Sequence, residues 1–100
     1  RTDLAGGGLV ENNALKMNEN DNVVIATQPI KKGNPVIVEE QELLSAAEDI
    51  DLGHKIAVAR IASGERVFRY GEPIVETTEK IEQGEWVHVH NTRPIPGGSL

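Results

Sequence analysis

The 100-residue chain contains no cysteine and only three Phe, Tyr or Trp residues. The lack of cysteine excludes a disulfide framework and a thiolate-ligated zinc site, and it is compatible with a reducing compartment. The sequence also lacks an apolar run of membrane-spanning length and the hydrophobic region of a signal peptide. We therefore expect a soluble, cytoplasmic domain that has no membrane partner.

Positive charge is scarce. Ten Lys and Arg residues stand against sixteen Asp and Glu, which gives a formal net charge of −6. Nucleic-acid binding requires clustered Lys and Arg that neutralise phosphates. The one basic pair, Lys31-Lys32, lies in a predicted turn. The charge balance therefore argues against a nucleic-acid partner.

A glycine motif, Ile-x-x-Gly-x-x-(Val/Ile), occurs four times, at residues 30–36, 50–56, 61–67 and 81–87. The first and third copies are 31 positions apart, as are the second and fourth, and no gap is needed. Such a repeat predicts one structural unit used twice. In each copy we expect both apolar residues to enter the core and the Gly to adopt a positive φ in a turn.

The other apolar residues are mainly Ile, Val and Ala, and β-branched side chains favour strands. Strands are predicted over residues 14–17, 23–26, 36–38, 43–45, 56–59, 67–69 and 86–90, with a turn or a single helical turn over 47–49. The pattern predicts a compact all-β domain over residues 14–92. A flexible N-terminal arm or expression remnant would occupy residues 1–13, and a flexible exit residues 93–100.

The two predicted units differ most in their last strand. The corresponding residues are Lys55, Ala57 and Ala59 in the first unit, and Trp86, His88 and His90 in the second. Because side chains alternate along a strand, Val87 and Val89 would face the core and both histidines would share the opposite face with Trp86. Two such imidazoles can ligate a metal, bind an anionic substrate or move protons. Alternatively, they are two histidines on a solvated surface.

Two other segments could contact an anion. Residues 53–55, Gly-His-Lys, combine a glycine that lets an anion approach the backbone closely with an imidazole and a cation. Arg69, beside Tyr70, could bind a carboxylate through two parallel hydrogen bonds. Both segments are also explained as ordinary turns, with Tyr70 covering the core. The sequence contains no nucleophile with a nearby base and no phosphate-binding loop, so we do not expect a complete active site in this chain alone.

The segments 53–57, 61–64, 67–74 and 81–91 together follow an order and spacing that resemble the altronate and galactarate dehydratase family. The similar part of that family is a small N-terminal domain or separate small subunit, and the resemblance runs from about Leu15 to Thr92. It implies an SAF domain with a β-clip fold and an internal pseudo-twofold. One position departs from the family, which often has glycine where this chain has Val75.

The resemblance also implies a reaction, the loss of water from a sugar acid such as altronate or galactarate to give a 2-keto-3-deoxy acid. It implies a larger catalytic domain or subunit as partner and a divalent metal, iron or manganese, shared with it. The candidate catalytic residues are then His88, His90 and His54, the candidate metal ligands His88 and His90, and the candidate substrate-binding residues Lys55, Arg69, Tyr70 and Asn91. The alternative is a non-catalytic module that binds a sugar acid or holds an oligomer, including a homo-oligomer, together.

Overall fold

The computed structural model describes residues 11–96, and all the regular secondary structure named within that range is β-strand. The strands are β1 (Ala14–Leu15), β2 (Val23–Ala26), β3 (Pro35–Val38), β4 (Gln41–Ser45), β5 (Lys55–Ala57), β6 (Arg66–Arg69), β7 (Glu72–Thr77), β8 (Trp86–Val87) and β9 (Thr92–Arg93). The predicted all-β class is therefore confirmed. Most of the predicted arm and the end of the predicted exit lie outside the described residues.

The strands form three small antiparallel sheets. One sheet has the order β1-β2-β5-β8, the second is the hairpin β3-β4, and the third has the order β6-β7-β9. Within residues 11–96 no helix is long and apolar enough to cross a membrane.

The glycine motifs connect these sheets, and their glycines and apolar residues adopt the predicted conformation and burial. Their glycines adopt φ values between +84° and +89°, at Gly33, Gly53, Gly64 and Gly84. Their first isoleucines are buried and pair across the chain as the antiparallel bridges Ile30–Ile50 and Ile61–Ile81. Their closing residues, Val36, Ile56, Val67 and Val87, are buried as well. Full burial of such a side chain stabilises the fold by about 1.5–3 kcal/mol, so the buried residues of the motifs supply much of the stability of the core.

The duplication is visible in the two hairpins. Each has a register shift at the same place, after Val36 in β3 and after Val67 in β6. Each turns through two successive residues with positive φ, at positions 39–40 and 70–71. All of these pairs are 31 positions apart. The two halves also have separate hydrophobic cores, one around Ile30, Ile50 and Ile56 and the other around Ile61, Ile81 and Val87.

The last predicted strand is shorter than expected. It ends at Val87, and the chain turns over residues 88–90. The predicted core position of Val89 is wrong, since this side chain is 78% exposed. The side-chain amide of Asn91 causes the turn, because it accepts from the backbone N–H of His88 and donates to the carbonyl of Trp86. Alternation along the strand therefore stops one residue after Val87.

Candidate functional site

The candidate site lies where β5 and β8 pair. Lys55 is opposite Val87 and Ile56 is opposite Trp86 in this antiparallel register. Because the strands run in opposite directions, the start of β5 meets the end of β8. His54, just before β5, is thereby brought beside His88, just after β8. The short sheet register thus joins two segments that are far apart in sequence.

All three histidines of the chain gather around its single tryptophan. We call His54, Trp86, His88 and His90 the imidazole cluster. The ring centroids of His54 and His88 are 4.9 Å apart, those of Trp86 and His88 are also 4.9 Å apart, and both pairs are stacked. His54 and His90 lie at 5.4 Å and 5.0 Å from the indole in tilted arrangements. The predicted grouping of His88 and His90 with Trp86 is therefore present, although a turn and not a continuous strand produces it, and His54 joins them through the pairing of β5 with β8.

Three hydrogen bonds hold Trp86, one at its indole ring and two at its backbone. Its Nε1–H donates to His54 Nδ1 over 2.9 Å. The backbone N–H of Trp86 donates to a carboxylate oxygen of Glu48 over 2.9 Å, and its carbonyl accepts from the Asn91 side chain. Hydrogen bonds at both the ring and the backbone leave Trp86 little freedom to reorient.

The turn that carries His88 and His90 is held by its neighbours. Thr92 Oγ1 donates to the carbonyl of His88 over 2.8 Å, and the Asn91 amide closes the turn from inside. Asn91 is only 4% exposed. Its place in the structure is thus that of a residue that shapes the turn, and its predicted contact with substrate stays a prediction.

A cleft of about 150 Å³ opens beside the imidazole cluster, and its lining residues are Lys55, Ile74, Val75, Val87, His88, Val89 and Thr92. Its walls are mostly apolar, with Lys55 and His88 as the ionisable groups. Burial lowers the pKa of Lys55, and the positive charge of Arg69 lowers it further. Desolvation also lowers the pKa of His88, with added repulsion from His54, Lys55 and His90. Both groups therefore lie in a positive environment suited to an anion.

Arg69 and Tyr70 lie at the β6–β7 hairpin. The Arg69 guanidinium sits 5.1 Å from the centroid of the Tyr70 ring. Its Nε is buried and has no hydrogen-bond partner among the described residues. Tyr70 is 58% exposed and has a φ of 58°, and its backbone N–H donates to the Asp21 carboxylate. Arg69 thus adds to the positive field at Lys55, while Tyr70 packs against Arg69.

The described residues do not complete a metal site. Within residues 11–96 no group of three or more His, Asp or Glu side chains is placed to hold a metal ion. His54 Nδ1 is already engaged by Trp86. A metal bound by His88 and His90 would need further ligands from outside this range, so that assignment stays a prediction.

The histidines were predictable from the sequence, whereas the contacts of Trp86 with His54 and Glu48 were not. Trp86 could have been singled out, because it is the one tryptophan and replaces Lys55 of the first unit. Glu48 gave no such signal, since its contact with Trp86 joins residues 38 positions apart.

Known proteins are similar to this chain over the residues that contain the candidate site. Residues 12–94 match the sequence family described as the altronate/galactarate dehydratase SAF domain. Altronate dehydratase from Bacillus subtilis (strain 168) is 35% identical over 79 residues, and altronate dehydratase from Escherichia coli (strain K12) is 38% identical over 79 residues. Each alignment covers 79% of this chain and 16% of the dehydratase.

A third relative is named as a subunit of an enzyme. The (2R)-sulfolactate sulfo-lyase subunit alpha of Chromohalobacter salexigens is 43% identical over 44 residues, which are 44% of this chain and 47% of that subunit. The chain therefore spans about one-sixth of the length of the two altronate dehydratases and about half of the sulfo-lyase subunit.

Proposed function

This chain belongs to the altronate/galactarate dehydratase SAF-domain family, and from this premise we propose that it contributes to the substrate site of a sugar-acid dehydratase. A larger domain or subunit would complete that site. The observation that carries the proposal is the convergence of all three histidines beside a cleft that also contains Lys55.

The chemistry needs groups of this kind. Dehydration of a sugar acid removes the proton next to the carboxylate and expels the neighbouring hydroxyl as water. The resulting enol then becomes the ketone of a 2-keto-3-deoxy acid. The reaction requires a base, a proton for the leaving hydroxyl, and positive charge or hydrogen bonds that stabilise the enediolate.

The positive environment fits the substrate carboxylate. Lys55 lines the cleft, and Arg69 is close enough to affect its pKa. A carboxylate bound there would relieve the repulsion between the two cations and would satisfy guanidinium donors. We assign substrate binding to Lys55 and Arg69 for this reason, with Tyr70 supporting Arg69 through their contact.

His88 is the group best suited to accept the α-proton. Its lowered pKa favours the neutral form of the imidazole, and a neutral imidazole can accept a proton. His90 lies on the same turn and is more exposed. It is therefore the histidine most available to a group that arrives from the partner.

The exposed edge of the cleft supports the proposal of a larger partner. The cleft is open and largely apolar, and Val89 extends its edge into solvent. A partner that covered Val89 would exclude water from the imidazole cluster. A divalent metal, iron or manganese, would be held by His90 together with ligands of the partner, because an imidazole that binds a metal has no free nitrogen for the α-proton and His88 is assigned as the base. When bound, it would stabilise negative charge on the enediolate.

Reconstitution tests the proposal. The chain would be combined with the larger part of the enzyme, as a fusion or as separate chains, and assayed for dehydration of altronate and galactarate. We expect His88→Ala to lower kcat by about 100-fold or more, the usual scale for a lost acid or base. Lys55→Ala should raise KM, whereas Lys32→Ala, a matched change at an exposed lysine, should alter neither. If His88→Ala and His90→Ala leave turnover and metal content unchanged, the proposal fails.

A non-catalytic sugar-acid-binding module is the second candidate, and the incomplete catalytic set within residues 11–96 favours it. Calorimetry on the chain alone separates the two candidates. Sugar-acid binding that is lost in Lys55→Ala, combined with full turnover of the histidine variants in the complex, would support the binding module.

A further inference from the structure

The hydrogen bond between Trp86 and His54 restricts the proton of the imidazole. An indole nitrogen can only donate, so His54 Nδ1 must accept and must carry no proton in this contact. A neutral imidazole carries one proton, which is therefore on Nε2. Nδ1 then accepts the hydrogen bond from the indole and Nε2 carries the proton, so neither ring nitrogen has a free lone pair.

We propose that Trp86 is a positioning residue that holds His54 as the neutral Nε2–H tautomer, so that His54 donates a hydrogen bond to a substrate oxygen and acts neither as base nor as metal ligand. The identity of that oxygen rests on the proposed function. The tautomer does not, because it follows from the contact with Trp86 alone.

The surroundings of the pair support this role. The indole also packs against His88 and His90, with ring centroids 4.9 Å and 5.0 Å from its own, so it cannot turn away easily. His54 is stacked against His88 with the rings inclined by only 28°, which fixes the ring plane. A second proton on Nδ1 would face the indole N–H with another donor, and the hydrogen bond would be lost.

A neutral imidazole that donates through Nε2 has a defined use in enolisation. It can stabilise an oxygen as negative charge develops there, without itself giving up the proton. His54 would stabilise the enediolate oxygen in this way, by donating a hydrogen bond from Nε2. Proton acceptance would then fall to His88, and metal ligation to His90 with ligands of the partner, which separates roles that the sequence left together.

The tautomer can be measured directly. Long-range ¹H–¹⁵N correlation spectra of the histidine-labelled chain, recorded at about pH 8 where imidazoles are neutral, distinguish protonated from bare ring nitrogens. We expect His54 to show a bare Nδ1 and a protonated Nε2 as a single species. In Trp86→Phe, which keeps an aromatic ring but removes the donor, we expect a mixture of both tautomers. A protonated Nδ1 in the wild type, or the same single tautomer in a folded Trp86→Phe variant, overturns the proposal.

The donor role has a separate test in the reconstituted enzyme. Glutamine can donate a hydrogen bond but cannot act as a base, so His54→Gln should retain at least about tenfold more kcat than His54→Ala. Loss of one such donor costs about 100-fold or more. Equal loss in both variants would refute the donor role. A wild-type complex without dehydratase activity would instead refute the proposed function, and the spectra would still decide the tautomer.

Discussion

Asn13 and Asn22 make the same pair of hydrogen bonds in the two halves of the protein. Asn13 donates to the carbonyl of Pro35 and accepts from the N–H of Ile37, at 2.8 Å and 2.7 Å. Asn22 does the same with the backbone 31 positions further on, donating to the carbonyl of Arg66 over 2.9 Å and accepting from the N–H of Phe68 over 2.8 Å. Each asparagine thus spans the register shift of one hairpin and satisfies backbone groups that the partner strand leaves free.

We expect Asn22→Ala to destabilise the fold by about 1–3 kcal/mol, because it leaves a backbone donor and an acceptor of β6 without partners. Asn13→Ala should have a similar effect on β3. Asn20→Ala is the matched control, since Asn20 lies in an exposed turn. Urea unfolding of the three variants measures the difference. Equal stability of Asn20→Ala and Asn22→Ala would show that the second asparagine does not hold its hairpin.

Gly84 and Gly53 are equivalent glycines in different surroundings. Both have a positive φ, +88° and +85°. A Cβ on Gly84 would lie 2.5 Å from the carbonyl oxygen of Ser45, whereas a Cβ on Gly53 would meet no atom within 4 Å. Gly53→Ala should therefore cost only the strain of the left-handed backbone, about 1–2 kcal/mol.

Gly84→Ala should cost clearly more than Gly53→Ala, because the backbone of Ser45 and Ala47 must also move. Thermal unfolding of both variants under identical conditions tests the order. The reverse order of melting temperatures would mean that the contact with Ser45 gives way freely.

Glu40 occupies the place that glycine holds in the second hairpin. Its φ is 66°, and its equivalent, Gly71, has a φ of 75°. Glu40→Gly should stabilise the protein by about 0.5–1 kcal/mol, because relief of backbone strain exceeds the entropy lost by glycine. Glu19→Gly, an exposed turn residue with no positive φ, should give no gain. A chemical denaturation midpoint of Glu40→Gly that is unchanged or lowered contradicts this account.

The duplication could be predicted because its signals are local. An isoleucine that enters the core and a glycine with positive φ act within a few residues, so four spaced copies of one motif were enough to predict these turns and the core positions of their apolar residues. The contacts of Asn13 and Asn22 could not be predicted, because they join residues more than 20 positions apart and the two asparagines are not themselves separated by the repeat.

The site was predictable only in part for a similar reason. The change from Ala57 and Ala59 to His88 and His90 marked the segment in which the imidazole cluster lies, since a repeat exposes such differences. Side chains stop alternating before Val89, because the amide of Asn91 ends the strand. The place of His54 depends on the pairing of β5 with β8, and a single sequence does not show strand pairing.

Protonation of His88 should couple the imidazole cluster to pH. Its pKa lies below the ordinary value of 6.5, mainly through desolvation and further through the neighbouring His54, Lys55 and His90. In the unfolded chain the pKa returns to its ordinary value. The unfolded state therefore binds more protons than the folded state between the folded pKa and pH 6.5, and the free energy of unfolding rises with pH across that window.

This contribution of His88 should thus be fully present above pH 6.5 and be lost as the pH falls toward the folded pKa. Melting temperatures of the wild type and of His88→Gln, measured between about pH 8 and pH 5, isolate it from the other titrating groups. We expect the wild type to lose more stability than the variant on acidification, while the difference between them stays constant at the alkaline end. Parallel melting curves over the whole range would show that His88 has the same proton affinity in the folded and the unfolded chain.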